Sequence, residues 1–168
     1  LIEDAAEAHG QKESLKFCGS FGLISTMSFY ANKHITTGEG GMVLTDDDDL
    51  KDKIKKMRNL DFDNKKRFYH DNLYWNYRLG GMQAALGISQ LKKLDKTISQ
   101  KIKQAEIYDQ YLSKEKTLSI PLKNINNTNN HYWVYGVVLN KDGIRDKVMK
   151  ELYDSGIETR PFFGPLHL

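Results

Sequence analysis

Leu23-Ile24-Ser25-Thr26-Met27-Ser28-Phe29-Tyr30, followed by Ala31-Asn32-Lys33-His34-Ile35-Thr36-Thr37-Gly38-Glu39-Gly40-Gly41, is the stretch that decides the fold. Its first eight residues mix β-branched and aromatic side chains with small ones, the pattern of a buried strand. The next eleven hold Asn32, Lys33, His34, two threonines and three glycines, the composition of a loop. Met42-Val43-Leu44-Thr45 then reads as a second short strand. A lysine thus stands just beyond a buried strand, beside a glycine-rich loop whose backbone amides can approach an anion closely.

Upstream, Leu1-Ile2-Glu3-Asp4 reads as the end of a strand, Ala5 to His9 as a short turn or helix, and Gly10 to Gly22 as loop. Downstream, Asp46 to Asp49 precede Leu50, Ile54 and Met57, with lysines at the far end. That charge order suits a helix dipole, so the four acids are expected to start a helix rather than bind a metal. Residues 60 to 80 are aromatic and polar without a period. Leu86, Leu91, Leu94, Ile98, Ile102, Ala105 and Tyr108 recur at helical spacing and predict one long helix over 82–112. At 1.5 Å per residue it would span roughly 45 Å, too long for one small core. Asn124 to Asn130 is a turn segment, Trp133 to Leu139 a predicted strand, and Asp142 to Ser155 a helix closed by Gly156. Ile157 to Arg160 is a predicted strand ended by Pro161.

Composition narrows the class. Of 168 residues, 39% are hydrophobic and 28% charged, so a packed core is expected. The net charge of +3 comes from lysines interleaved with acids on helical stretches, which reads as solvated faces rather than a nucleic-acid surface. The single cysteine, Cys18, cannot form an internal disulfide and fits a reducing compartment such as the cytoplasm. No run of about 18 apolar residues predicts a membrane span. Glu3 and Asp4 interrupt the apolar start, so no signal peptide is expected. The sequence opens on Leu1-Ile2, mid-strand, and closes just after Pro165-Leu166-His167-Leu168; both ends are expected to be cuts within a longer chain.

Taken alone, each candidate residue has two readings. A lysine that attacks a carbonyl must be neutral, and the end of a buried strand is a place where its pKa can be lowered. Yet lysines are abundant here, and any one of them is more often solvent-facing. Asp4 ends an apolar strand, where it can face a cationic ring nitrogen or simply cap the Ala5–His9 turn. The Ser28 hydroxyl, five residues before Lys33, could meet a phosphate.

Longer motifs separate these readings. Ile2-Glu3-Asp4-Ala5-Ala6-Glu7-Ala8-His9-Gly10, Gly19-Ser20-Phe21-Gly22, Ser28 to Lys33, and Thr36-Thr37-Gly38-Glu39-Gly40-Gly41-Met42-Val43 follow one another in fixed order. Trp75-Asn76-Tyr77-Arg78-Leu79, Gln83-Ala84-Ala85-Leu86-Gly87 and Gly156-Ile157-Glu158-Thr159-Arg160-Pro161-Phe162-Phe163 continue the series. Together they resemble the DegT/StrS-type sugar aminotransferases over nearly the whole chain, closest to the perosamine-synthase-like members, which aminate GDP-4-keto-6-deoxymannose.

The resemblance implies an α/β protein of the PLP-transferase fold type I, aspartate-aminotransferase-like, present as a fragment. Residues 1–80 would be the C-terminal part of the PLP-binding large domain, 81–113 a long connecting helix, and 114–168 part of a small C-terminal α/β domain. It implies pyridoxal 5'-phosphate as cofactor and Lys33 as the lysine that carries it as a Schiff base and moves the proton. Asp4 would pair with the pyridine nitrogen, Glu7 would lie near the ring hydroxyl, and Ser28 would bind the phosphate. Asn76 would reach the phosphate in a neighbouring subunit, implying a homodimer. Arg160 and His167 would lie near the sugar-nucleotide pocket. A nucleotide-linked 4-keto-6-deoxy sugar and an amino-acid donor, glutamate, would be the substrates, in the making of a cell-surface polysaccharide such as a lipopolysaccharide O-antigen. Two alternatives remain: a sugar 3-dehydratase, whose relatives carry histidine in place of the lysine, and a catalytically silent regulatory relative. Intact Lys33 favours transamination over dehydration, and intact Lys33, Asp4 and Ser28 argue against a silent relative.

Overall fold

The computed structural model describes residues 1–62 and 68–167. Residues 63–67, inside the stretch read as aperiodic, and Leu168, at the end of the last expected domain, lie outside the described residues.

Strand β1 (Ile2–Asp4) is followed by a small hairpin, β2 (Lys12–Glu13) and β3 (Lys16–Phe17), within the stretch expected to be loop. Strands β4 (Ile24–Ser28) and β5 (Gly41–Leu44) complete a three-stranded sheet in the order β1-β4-β5. β1 runs parallel to β4 and β5 antiparallel to it, so the sheet is mixed. The register pairs Asp4 with Thr26, Thr26 with Val43, and Ser28 with Gly41. Side chains alternate along a strand, so Asp4, Thr26 and Ser28 share one face. Glu3, Ser25 and Met27 share the other, where Ser25 is fully buried.

Glu3 fixes the chain between β1 and β4. Its carboxylate accepts hydrogen bonds from the amides of Gly19 (2.7 Å), Phe21 (2.5 Å) and Gly22 (2.5 Å). Desolvation works against that charge, and the three amides outweigh it and lower the carboxyl's pKa. The glycine-rich loop before β5 is tied back in the same way: the Phe29 amide donates to the Gly40 carbonyl at 2.8 Å, and the Thr37 amide to the Phe29 carbonyl at 2.9 Å. Glycine is required at two of its positions. Gly40 has φ +134°, and a Cβ on Gly41 would lie 2.7 Å from the Met27 carbonyl oxygen across the ladder.

Helix α1 (Asp48–Met57) starts as the acids foretell. Asp47 is its N-cap, accepting from the Leu50 amide at 2.9 Å, and Asp48 and Asp49 sit in the first turn. The aperiodic stretch after it is held by a bridge between Asn59 and Asn76. The Leu60 amide donates to the Trp75 carbonyl at 2.9 Å, and the Tyr77 amide to the Arg58 carbonyl at 2.8 Å.

The single long helix expected over 82–112 is two helices, α2 (Gly81–Leu91) and α3 (Leu94–Leu112). The break falls at Lys92-Lys93, where Lys93 leaves helical geometry at φ −110° and ψ 6°, and its amide donates to Gln90, three residues back. No proline or glycine marks this point, so the apolar period runs through it unbroken. At 1.5 Å per residue, α3 alone is about 28 Å long. It buries Ile98, Ala105 and Asp109, and Ile98 lies under Gly10, so α3 covers the turn after β1.

Beyond α3, β6 (Leu118–Ser119) opens a second region, and β7 (Asn124–Ile125) and β8 (Thr128–Asn129) form a hairpin turned by Asn126 at φ 52°. The strand expected over Trp133–Leu139 is reduced to β9 (Val138–Leu139), paired antiparallel with β6. Helix α4 (Arg145–Asp154) ends on Gly156 at φ 82°, with the Ile157 amide returning to the Leu152 carbonyl at 2.8 Å. Ile157 to Arg160 is irregular, not a strand: its alternating pattern finds no ladder partner among the described residues, and Arg160 pairs with exposed Glu158 instead. No helix among the described residues is long and apolar enough to cross a membrane.

Candidate functional site

The turn that leaves β4 delivers Lys33. The Lys33 amide donates to the Tyr30 carbonyl at 3.0 Å, and the side chain folds back toward β1. Its Nζ donates to Glu7 Oε1 at 2.9 Å, and the side chain is 9% exposed. The same ammonium lies 4.0 Å from the ring centre of Trp133. The Trp133 indole N–H donates to the Asn32 carbonyl at 3.1 Å, and the ring stacks on Phe163 at 6.1 Å and 4°. A small recess beside the lysine is lined by Glu7, Gln11, Asn130, His131 and Trp133, among others.

Asp4 and Ser28 lie on the shared sheet face and are not among the lining residues of that recess. Asp4 Oδ1 accepts from the Ala6 amide at 3.1 Å, so the carboxylate does cap the turn; its other oxygen makes no hydrogen bond among the described residues. Ser28 Oγ accepts from the Tyr30 amide at 3.3 Å, leaving the hydroxyl hydrogen available to an anion. These donors and acceptors suit pyridoxal phosphate: an amine kept largely from water, a carboxylate with an unused oxygen, and a hydroxyl on the carboxylate's face of the sheet. No group of three His, Cys, Asp or Glu among the described residues is placed to hold a metal ion.

The other expected residues stand apart. Asn76 is exposed in the Asn59 bridge. Arg160 is exposed and paired with Glu158 at 3.0 Å, and His167 is exposed. No hydrogen bond or ion pair joins any of these three to Lys33 or Glu7 among the described residues.

Three histidines pack behind the lysine. His9 stacks on Phe29 at 5.9 Å and meets His34 edge-on at 6.5 Å, and His34 Nε2 lies 3.2 Å from the His131 carbonyl. Burial pushes His34 down to about 4. Burial, then the nearby Lys33 charge, lowers His9, and burial lowers His131.

Reading the sequence alone missed Trp133, Glu3 and the histidine cluster. Trp133 is 100 positions from Lys33, and nothing in its spacing marks the contact. Glu3 offered a faint signal, a carboxylate in a strand followed by a glycine-rich loop.

The DegT/DnrJ/EryC1/StrS aminotransferase family matches residues 1–168. The chain is 41% identical over 172 residues to a GDP-perosamine synthase of Vibrio cholerae, covering 99% of this chain and 46% of that protein. It superposes on the aminotransferase TlmJ of Streptoalloteichus hindustanus with a TM-score of 0.92 and 30% identity, covering 100% of this chain and 46% of the other. It superposes on an Escherichia coli GDP-4-keto-6-deoxy-D-mannose-3-dehydratase with bound hydrated PLP at a TM-score of 0.84 and 28% identity, covering 96% and 46%. The chain thus spans less than half the length of the relatives it matches, and its fold is part of theirs. With the mixed sheet, the enclosed lysine and a match over its whole length, the chain belongs to the DegT/DnrJ/EryC1/StrS aminotransferase family.

Proposed function

We propose that the protein carrying this chain transfers an amino group to a nucleotide-linked 4-keto-6-deoxy sugar, with pyridoxal phosphate as cofactor and Lys33 as its Schiff-base lysine. The observation that carries this reading is the enclosed Lys33 amine, held by Glu7 and Trp133 at the end of β4. The likeness to GDP-perosamine synthases supports the substrate class.

The bound cofactor supplies an electron sink that allows a carbon bearing the amino group to lose a proton. Lys33 would anchor the cofactor and, once released, carry that proton between carbon atoms. Its low exposure keeps bulk water from competing for the proton. Asp4, through its unused oxygen, would hold a proton on the cofactor's ring nitrogen. Ser28 would donate to the phosphate, with the Gly38–Gly41 loop alongside. Glu7 would orient Lys33 through the 2.9 Å hydrogen bond.

The reading extends to an amino-acid donor, glutamate, and to a homodimer in which Asn76, exposed and apart from Lys33, serves the partner's site. It extends to a cytoplasmic role in making a cell-surface polysaccharide, and to a division into large-domain (1–80), connecting (81–113) and small-domain (114–168) parts. The test is Lys33→Ala in the intact protein, assayed by mass spectrometry for amino sugar made from a GDP- or dTDP-linked 4-keto-6-deoxy sugar and glutamate. Loss of product is expected. Product at a rate near wild type would overturn the assignment.

A further inference from the structure

We propose that Trp133 is a positioning residue for Lys33, braced in turn by Phe163. The proposal rests on the reading of Lys33 given above, and deepens it.

Trp133 touches the lysine position twice. Its ring face lies 4.0 Å from Nζ, and its indole N–H holds the carbonyl of Asn32, one residue earlier in the chain. The first contact restrains the amine, and the second restrains the backbone that presents it. Glu7 supplies the remaining restraint at 2.9 Å. The ammonium therefore sits between a carboxylate and a ring, each of which attracts it. A core tryptophan would be buried among apolar neighbours; Trp133 is only half-buried and lies on the wall of the recess with Glu7. The acceptor of its indole N–H is the Asn32 carbonyl, and its charged neighbour is Lys33. The near-parallel stack on Phe163, at 4°, limits rotation of the indole and connects the segment after Pro161 to the lysine. Two segments about 100 residues apart meet at this side chain, as they do where His34 approaches the His131 carbonyl.

The experiment uses the intact protein freed of cofactor. Acetylation of Lys33 by an amine-directed ester is followed by peptide mass spectrometry, with exposed Lys141 as internal reference. Trp133→Leu removes the ring face and the N–H together and should raise the Lys33 rate relative to Lys141 by about fivefold, as loss of one cation–π contact implies. Trp133→Phe keeps the face and should retain most of the protection. Phe163→Leu should give a smaller rise than Trp133→Leu. Unchanged Lys33 labelling in Trp133→Leu, or equal labelling in the Leu and Phe variants, overturns the proposal. Should Trp133→Leu not fold, Lys33→Met serves instead. Removing the ammonium from the ring should change tryptophan emission relative to wild type, and that difference should vanish in a Trp133→Phe background. Identical spectra for Lys33→Met and wild type also overturn it. Failure of the underlying Lys33 reading is separately visible, because Lys33→Ala would then still make amino sugar whatever the labelling shows.

Discussion

Lys33 and Glu7, 26 positions apart, meet at 2.9 Å because β1 runs parallel to β4 and the turn after each leaves the same end of the sheet. The lysine end of this pair is enclosed and the glutamate end is 48% exposed. Glu7→Gln should therefore cost no more than about 1 kcal/mol of stability in the cofactor-free protein, the range of partly exposed pairs. Urea unfolding at low and high salt checks it: the wild type should lose more stability to salt than the variant.

His34 predicts a pH dependence. Its pKa in the folded protein is pushed down by burial to about 4, below that of an unfolded histidine near 6.5. The folded state therefore binds fewer protons than the unfolded one between these values. The histidine's contribution is fully present above pH 6.5 and is lost as pH falls toward 4. At pH 5 the loss should be about 2 kcal/mol relative to pH 7.5. His9 and His131, both lowered, should add to the same slope, and Lys101 also faces this cluster. Unfolding curves at the two pH values measure it, and His34→Gln should make the slope shallower.

Glycine substitutions should separate sharply by position. Gly41→Ala places a Cβ 2.7 Å from the Met27 carbonyl oxygen, and both belong to the central ladder. It should cost at least about 2 kcal/mol, since neither backbone can move without breaking the pairing. Gly81→Ala, at the start of α2 with open space around it, should change stability by no more than about 0.5 kcal/mol. Thermal unfolding of the two variants side by side is sufficient.

Lys33→His tests the chemistry differently from Lys33→Ala. An imidazole still moves protons but forms no Schiff base under these conditions. Amino sugar should disappear, and a deoxygenated keto sugar is the product to look for by mass spectrometry.

Much of the architecture was legible because local physics decided it. Asp47 caps α1 as a carboxylate before an amphipathic run should, and Gly156 ends α4 in the left-handed region. The strands at Ile24–Ser28 and Gly41–Leu44 follow their side-chain pattern within a residue or two. Two segments departed from their local pattern. Lys92-Lys93 breaks a helix without any local breaker, and Ile157–Arg160 has a strand's pattern but no ladder partner among the described residues. Lys33 and Glu7 came from motif likeness, while Trp133 could not be found from spacing, because its contact joins residues from separate regions of the chain.

Glu3 and Asp4 are chemically near-identical neighbours, yet the pleat sends one carboxylate to three loop amides and the other to the opposite face. Their duties are assigned by parity alone. A single-residue insertion or deletion ahead of Glu3 that shifted β1 by one step would exchange the two faces. The loop would then face Asp4's shorter side chain, and the open face would present a carboxylate one methylene longer. β1 is therefore intolerant of changes in length even where it tolerates changes in composition.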